Sequence, residues 1–402
     1  MAVFLIALFP ILDTALANET DGASAFTLRG FGTLGVARST NGQAEITHDL
    51  LQPHGVSNHW SGKIDSNLGA QLNYVASDTV EAVAQVVSRY NYKGNFTPQV
   101  TELLVNYDPN ANLKLIAGRI SANLFLRDGN RLIGYSQLAV RPNIDYLSGM
   151  AITYLDGVDG RITLPLGKGL LIGEAYYGFL AERYALANGN LDLHGSRTIG
   201  VQIDYLSGDW QWHAGISQVR FNHSMPAQIR EFQADMRRAG IDSLTRAAKK
   251  LDLRDTDAMY YTVGMNYDPG PLLLQLMLSR LNYDTRALHG RDTALFRASY
   301  RIGEVKPFIG YSWAKSRRAH ITSGLPSGDG WDDHLRMVLA QSYVDQHTVS
   351  MGMRWDFQRN MALKFQADLI RGRSNSIYAV RDATPRWDGK TKLFSVALDF
   401  AF

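Results

Sequence analysis

The chain has 402 residues, with 41 Lys and Arg against 38 Asp and Glu, a formal net charge of +3 and no cysteine. The near balance of charge excludes a dedicated nucleic-acid binder, which carries a clustered basic excess. The lack of cysteine excludes disulfides, thiol catalysis and cysteine-bound zinc. No apolar run reaches the roughly 18 residues that a membrane helix needs, which leaves a soluble β protein or a membrane β-barrel.

The first 17 residues predict a secretory signal peptide. Residues 3–12 are apolar, and the segment ends in the small residues Ala15 and Ala17, which is the pattern of an export signal cleaved after Ala17. No basic residue precedes the apolar run, and a buried N-terminal helix is the alternative. We expect residues 18–402 to form a single domain.

Beyond residue 25, apolar and polar residues alternate with a period of two, as in strands that bury one face. Between Trp60 and Tyr74, for example, the apolar residues fall on one side and the polar ones on the other. The pattern predicts an all-β fold of sixteen antiparallel strands: 26–38, 59–76, 79–92, 99–107, 112–120, 149–165, 170–180, 196–206, 209–221, 257–268, 271–283, 291–302, 304–315, 343–357, 361–372 and 390–402.

The connections between these strands alternate between tight turns and mostly longer loops. This layout is typical of a transmembrane β-barrel with short periplasmic turns and long extracellular loops. Aromatic residues on the outer face end seven of the eight strands that run toward the short turns, as in an interfacial girdle: Tyr74, Tyr107, Tyr205, Tyr267, Tyr300, Phe357 and Phe402.

Basic residues on the outer face lie at the long-loop ends of their strands. A cation at the bilayer midplane costs about 2–4 kcal/mol, and the cost falls to about 0–1 kcal/mol near the interface. A soluble sandwich has no reason to sort its outer face by height, so the sequence favours a membrane barrel. The basic residues in this row are Arg38, Arg119, Arg220, Arg280, Lys315, Arg371 and Lys392.

The chain resembles the Gram-negative outer-membrane porin family over its mature length. The resemblance rests on the glycine-rich first strand FTLRGFGTLGVA, on the closing strand LFSVALDFAF and on the third long loop, 121–148. It implies a usually trimeric channel that passes small hydrophilic solutes and ions. It also implies that loop 121–148 folds into the lumen as a constriction and that the barrel-insertion machinery reads Phe402.

Inward-facing charges are candidates for the pore wall and the constriction. By strand register, nine basic and nine acidic residues face the lumen, and the third loop is net positive. We predict a neutral to mildly anion-preferring pore; the alternative is that many of these charges form internal salt bridges. The predicted pore residues are Arg29, Lys63, Arg89 and Lys364 on the wall and Arg127, Asp128, Arg131, Arg141 and Asp145 in the loop.

Two further features lie toward the long-loop side. Loop 222–256 contains an amphipathic helix over 226–251, which either caps the mouth, packs on a neighbouring protomer or is a surface excursion. The rim residues Arg220, Arg280 and Arg371 are candidates to bind lipopolysaccharide phosphates; simple snorkelling to the interface is the alternative.

The sequence favours an outer-membrane channel for passive diffusion. The alternatives are a substrate-specific channel for small anions or sugars and a closed structural barrel. Asp332, Asp333 and His334 adjoin in one loop, but neither they nor the histidines near residues 48–59 form a standard catalytic or metal motif. We therefore expect no enzyme activity, cofactor, metal or nucleic-acid partner.

Overall fold

The computed structural model describes residues 25–122, 131–147, 152–186, 189–317, 319–326, 330–376, 378 and 387–402. Within them, sixteen strands close into one antiparallel barrel in which β1 also pairs with β18. The sixteen are β1 (Phe26–Ser39), β2 (Asn67–Ser77), β3 (Val80–Arg89), β4 (Gln99–Asn110), β5 (Leu113–Ser121), β6 (Tyr154–Leu166), β7 (Gly169–Leu180), β10 (Arg197–Ser207), β11 (Trp210–Arg220), β12 (Asp257–Tyr267), β13 (Leu272–Tyr283), β14 (Arg291–Tyr300), β15 (Val305–Ser316), β16 (Asp345–Gln358), β17 (Met361–Gly372) and β18 (Lys390–Ala401).

The predicted sixteen-stranded antiparallel fold is therefore confirmed, with two strand starts corrected. The segment predicted as 59–76 is a continuous strand only from Asn67, with one isolated bridge from Ser61 to Ala37 before it, and the segment predicted as 149–165 is a strand from Tyr154, with residues 149–151 outside the described residues. Between Ser61 and Asn67 the chain leaves the sheet, and the buried Asp65 pairs with Arg141 and His48 instead. Lys63 consequently lies in a loop and is exposed, not on the barrel wall. The predicted signal peptide lies outside the described residues.

Long loops connect the strands at one end of the barrel. We call them loop 1 (40–66), loop 3 (122–153), loop 4 (181–196), loop 5 (221–256), loop 6 (284–290), loop 7 (317–344) and loop 8 (373–389). Loop 4 carries a small hairpin, β8 (Arg183–Leu186) and β9 (Gly189–Asp192), and loop 3 carries the short helix α1 (Ile144–Leu147). Among the described residues, no helix is long and apolar enough to span a membrane.

The outer face of the barrel is apolar and exposed. Leu68 is 56% exposed and Phe402 is 58% exposed. The residues that alternate with these outward-facing positions along each strand face the barrel interior. At the short-turn end the outward aromatics pack on one another, and the rings of Trp210 and Tyr267 lie 4.4 Å apart. This arrangement matches a band that faces lipid, bordered by an interfacial girdle.

The glycine-rich first strand fits against the last strand. A Cβ at Gly30 would lie 2.1 Å from the ring of Phe402, and one at Gly32 would lie 2.5 Å from the ring of Phe400. Only glycine permits this close approach. The Gly30 and Phe402 backbones exchange hydrogen bonds of 2.7 and 2.8 Å, which complete the β1–β18 seam.

Loops 5 and 7 form a helical cap at the long-loop end. The predicted single helix over 226–251 is two helices, α2 (Ala227–Arg238) and α3 (Asp242–Lys250), because the chain turns at Gly240 with φ +69°. A helix that the sequence did not predict, α4 (Trp331–Ala340), packs on them. The three share a core that includes Met236, Leu244, Ala247, Leu335 and Leu339.

Candidate functional site

Loop 3 lies against the inner wall of the barrel on the side of β1 and β14–β18. Lys364 Nζ donates to the carbonyls of Gly134 at 2.8 Å and Ala139 at 3.2 Å, and Gln366 Oε1 accepts from the Val140 amide at 2.8 Å. A Cβ at Gly134 would meet Thr33 Oγ1 at 2.1 Å. The loop therefore fits closely on this wall along residues 134–140.

Arg141 fixes the next part of loop 3. It is 4% exposed, and its guanidinium pairs with Asp65 at 2.5 Å and with Asp368 at 3.0 Å. Although burial alone lowers the pKa of Arg141, the two carboxylates raise it above its ordinary value. Burial likewise opposes ionisation of Asp65, yet Arg141 and His48 hold the pKa of Asp65 well below its usual range. Loops 1 and 3 are thus joined to the wall by one buried ionic cluster.

The helix α1 continues along the same wall. Asp145 accepts from Ser312 Oγ at 2.7 Å and from Gln346 Nε2 at 2.6 Å, and burial raises the pKa of this carboxyl. Tyr146 Oη lies 3.1 Å from Thr262 Oγ1 of β12. Because these partners come from β12, β15 and β16, α1 spans a broad section of the lumen wall.

The predicted pore residues occupy different environments. Arg29 is exposed on the inner face of β1, and Arg89 ends β3, where it pairs with Asp49 at 2.8 Å. Lys364 is 1% exposed and pairs with Asp399 at 2.8 Å, so it holds loop 3 instead of facing water. Arg131 donates to the carbonyl of Ile152. Arg127 and Asp128 lie outside the described residues.

Inward-facing charges divide between two opposite arcs of the ring. The acidic arc comprises β3, β4, β6, β7 and β10, and the basic arc comprises β14–β18 and β1; the strand order places them across the lumen from each other. The acidic arc carries Glu81, Glu102, Asp159, Glu174 and Asp204 against Arg89 and Arg161, and the basic arc carries Arg29, Arg297, Lys306, Arg354 and Lys364 against Asp356, Asp368 and Asp399, so each arc has a net excess of one sign.

Ion pairing cancels only part of this separation. On the basic arc, Lys306 and Arg354 share Asp356 at 2.8 and 2.7 Å. Arg29 and Arg297, in contrast, make no ion pair with any described residue, and the same holds for Glu81 on the acidic arc, which accepts from two asparagine amides. Among the described residues, the two arcs therefore keep unpaired charges of opposite sign.

The long-loop half of the lumen contains a continuous apolar cluster, which we call the luminal core. Loop 1 contributes Ile46, Leu50, Leu51, Val56 and Ile64, none of which the sequence analysis placed inside the barrel. For Ile46, Leu50, Leu51 and Val56, apolar character within a predicted extracellular loop was the available signal, whereas Ile64 was predicted within a strand. Other loop residues of the cluster include Ile144, Tyr146, Tyr184, Leu191, Leu193, Tyr378 and Trp387. They pack on inward side chains such as Leu155, Val219, Leu295 and Ile370.

The basic residues of the outer rim differ in their pairing. Arg220 lies 3.4 Å from Asp257, and Arg280 lies 2.7 Å from Asp292 on the neighbouring strand. Arg371 is exposed and makes no ion pair with a described residue. Of the three predicted phosphate-binding positions, Arg371 is thus the one with an uncompensated charge.

The residues considered for chemistry have structural roles. His334 of α4 lies 5.6 Å from the ring of Phe232 of α2, and His48 Nδ1 lies 3.1 Å from Asp65 Oδ1. In the part of the chain that the structure describes, no three His, Asp or Glu side chains group as a metal site.

Solved outer-membrane proteins share this fold. The chain is similar to Salmonella typhi OmpF in complex with daunomycin (TM-score 0.58, 12% identity, covering 94% of this chain and 97% of that one). It is also similar to the anion-selective porin from Comamonas acidovorans (TM-score 0.56, 13% identity, covering 94% of this chain and 99% of that one). A third similar structure is outer-membrane expressed OmpT of Vibrio cholerae (TM-score 0.54, 13% identity, covering 95% of this chain and 99% of that one). No family model and no curated protein matches the sequence. These likenesses establish the fold, a closed barrel like those of Gram-negative outer-membrane porins.

Proposed function

We propose that the chain is an outer-membrane channel through which small hydrophilic solutes and ions diffuse passively. The observation that carries this proposal is the pair of oppositely charged arcs on the inner wall of a barrel whose outer face is apolar. A wall that served stability alone would pair its charges, because an unpaired charge away from water is costly. Arg29, Arg297 and Glu81 are explained if that part of the lumen holds water and passing solutes.

The luminal core favours a narrow, substrate-specific channel as the second candidate. Loops 1, 3, 4 and 8 occupy the long-loop half of the lumen, which restricts the path more than one inserted loop does. Small anions or sugars are the solutes we propose for such a channel, since Arg29 and Arg297 attract anions and the arcs present many hydrogen-bonding groups.

The proposed setting is the outer membrane, reached by an N-terminal signal peptide. The apolar outer face and the aromatic row support this setting. We further propose that the insertion machinery reads Phe402 and that Arg371 contacts lipopolysaccharide phosphate, because it lies at interface height and its charge is unpaired.

A homotrimer is also part of the proposal. On the outer face, Ala82 and Ala84 form the floor of a groove of about 230 Å³ between Leu72, Leu103 and Val105. A second copy could fill this apolar groove. Ala84→Trp should then weaken the oligomer on unheated gels, whereas Ala214→Trp, on the outer face of distant β11, should leave it intact.

Planar-bilayer recording of the purified protein tests the channel proposal. Stepwise currents are expected, with a reversal potential in a KCl gradient near zero or mildly anion-preferring. A strong cation preference would contradict the predicted selectivity. Saturable flux of one anion or sugar would favour the substrate-specific channel, and a complete lack of current would favour a closed structural barrel.

A further inference from the structure

Loop 1 and loop 4 meet inside the long-loop half of the lumen. The Ala185 amide donates to the Leu50 carbonyl at 3.2 Å, and both residues are 5% exposed. Loop 1 leaves the ring between β1 and β2, and loop 4 leaves it between β7 and β10. Leu50 and Tyr184 belong to the luminal core, which packs on inward side chains of strands all around the ring, so the joint lies among the loops that fill this half of the lumen.

Charged groups surround this joint. Arg89 Nη1 pairs with Asp49 Oδ2 of loop 1 at 2.8 Å. Glu182 of loop 4 accepts from the Thr153 amide at 2.8 Å and from the Thr153 hydroxyl. Arg131 of loop 3 and Arg89 both interact electrostatically with Glu182. Loops 1, 3 and 4 therefore share one cluster of ionisable groups beside the apolar contact.

Each loop is anchored independently of the joint. Loop 1 is tied to β1 by the hydrogen bonds Ser39 N to Ser57 O at 2.8 Å and Ala37 N to Ser61 O at 3.0 Å. Loop 4 has its own β8–β9 hairpin. One backbone hydrogen bond joins the two loops among the described residues. The joint can therefore open while both loops keep their internal structure.

We propose that the contact between loop 1 and loop 4 is the gate of the channel, and that separating Leu50 from Ala185 opens the lumen. This inference rests on the proposed channel function. The uncompensated arcs below the joint give the opened lumen a polar path. A permanent seal at this level would leave those charges without a role in transport.

A reversible cross-link tests the gate, and the lack of native cysteine makes an engineered disulfide unambiguous. In Leu50→Cys/Ala185→Cys, the oxidised protein should carry roughly tenfold less current than the reduced protein, because the constriction cannot widen. Dithiothreitol should restore the current. The matched control is Arg183→Cys/Asp192→Cys, which links paired residues of one hairpin. Its current should not depend on oxidation.

Folding and cross-linking are checked by the mobility of heated and unheated samples on gels. A deletion of residues 183–192, which removes the hairpin without any cysteine, should raise the open probability. Full current with the Leu50–Ala185 link formed would overturn the gate and leave the channel function standing. Absence of current in every state, including the deletion variant, would overturn the channel function and the gate with it.

Discussion

Replacing Arg141 by Gln should release loop 3 from the barrel wall. In the folded protein the guanidinium neutralises Asp65 at 2.5 Å and Asp368 at 3.0 Å, and it also donates to Ser395 Oγ at 2.5 Å. The neutral amide of Gln would leave two buried carboxylates without their cation. Breaking one side of a buried ion pair costs about 3–5 kcal/mol. We expect the lower end, because Asp65 keeps His48 at 3.1 Å and Asp368 keeps Gln366 at 2.9 Å.

Hydrogen exchange of the Val140 amide measures this loss. That amide donates to Gln366 on β17, so its protection reports whether loop 3 is docked. A loss of about 3 kcal/mol corresponds to exchange roughly a hundredfold faster, since about 1.36 kcal/mol is a factor of ten. Conductance should become more variable in the same variant, because loop 3 is no longer held at one position in the lumen.

Arg161→Gln is the matched control. Arg161 lies on the opposite arc, where its guanidinium pairs with Glu174 at 2.6 Å, and its side chain is 37% exposed. The hydrogen bonds of Arg161 go to Glu174 and not to loop 3 among the described residues. Glu174 is only 7% exposed, but the pair lies across the ring from the strands that hold loop 3, so the Val140 amide should exchange as in the unaltered protein. The reasoning would be refuted if the Val140 amide of Arg141→Gln exchanged within about threefold of its rate in the unaltered protein. A threefold change in rate corresponds to less than about 1 kcal/mol.

Three other outcomes are expected. Burial raises the pKa of Glu182 from 4.5 to about 8, so its contribution to loop 4 packing is complete below its ordinary pKa and is lost by the time the pH has risen through about 8. Protease cleavage of loop 4 should therefore increase over this range, and in Glu182→Gln it should not. Phe232→Ala removes the ring contacts of the cap with Trp331 and His334 and should cost about 1–3 kcal/mol, seen as faster exchange in α2 and α4 with the barrel melting temperature unchanged. Arg29→Gln/Arg297→Gln should shift the reversal potential toward cations, and an unchanged potential would place the ion path away from the basic arc.

The strands were predictable because a period of two survives wherever one face meets lipid and the other meets the interior. The same rule failed at residues 59–66, where Trp60 and Ile64 alternate with polar residues but pack as a loop. Alternation reports which side a residue faces, whereas pairing between strands depends on contacts that are distant in the chain.

The site was harder to predict for a related reason. Register places Lys364 inside the barrel, but only the folded loop 3 shows that Lys364 is covered. The equal count of nine basic and nine acidic inward residues hid the fact that the two signs are in excess on opposite arcs. The order of the strands around a closed barrel already implies this distribution. The residues of the luminal core were missed because Ile46 and Leu50 lie in a segment whose length and position are typical of an extracellular loop.

The packing of Phe402 on Gly30 has a consequence for assembly. The two strands of the seam are neighbours in space but are separated by nearly the whole chain, so bringing them together carries the largest loop-closure cost of any strand pair. Until that step, β1 and β18 both present unpaired edges, which are prone to pair with other chains. Nucleation of this seam should therefore limit the rate of barrel formation, and chaperones that shield the two edges should protect the nascent protein from aggregation.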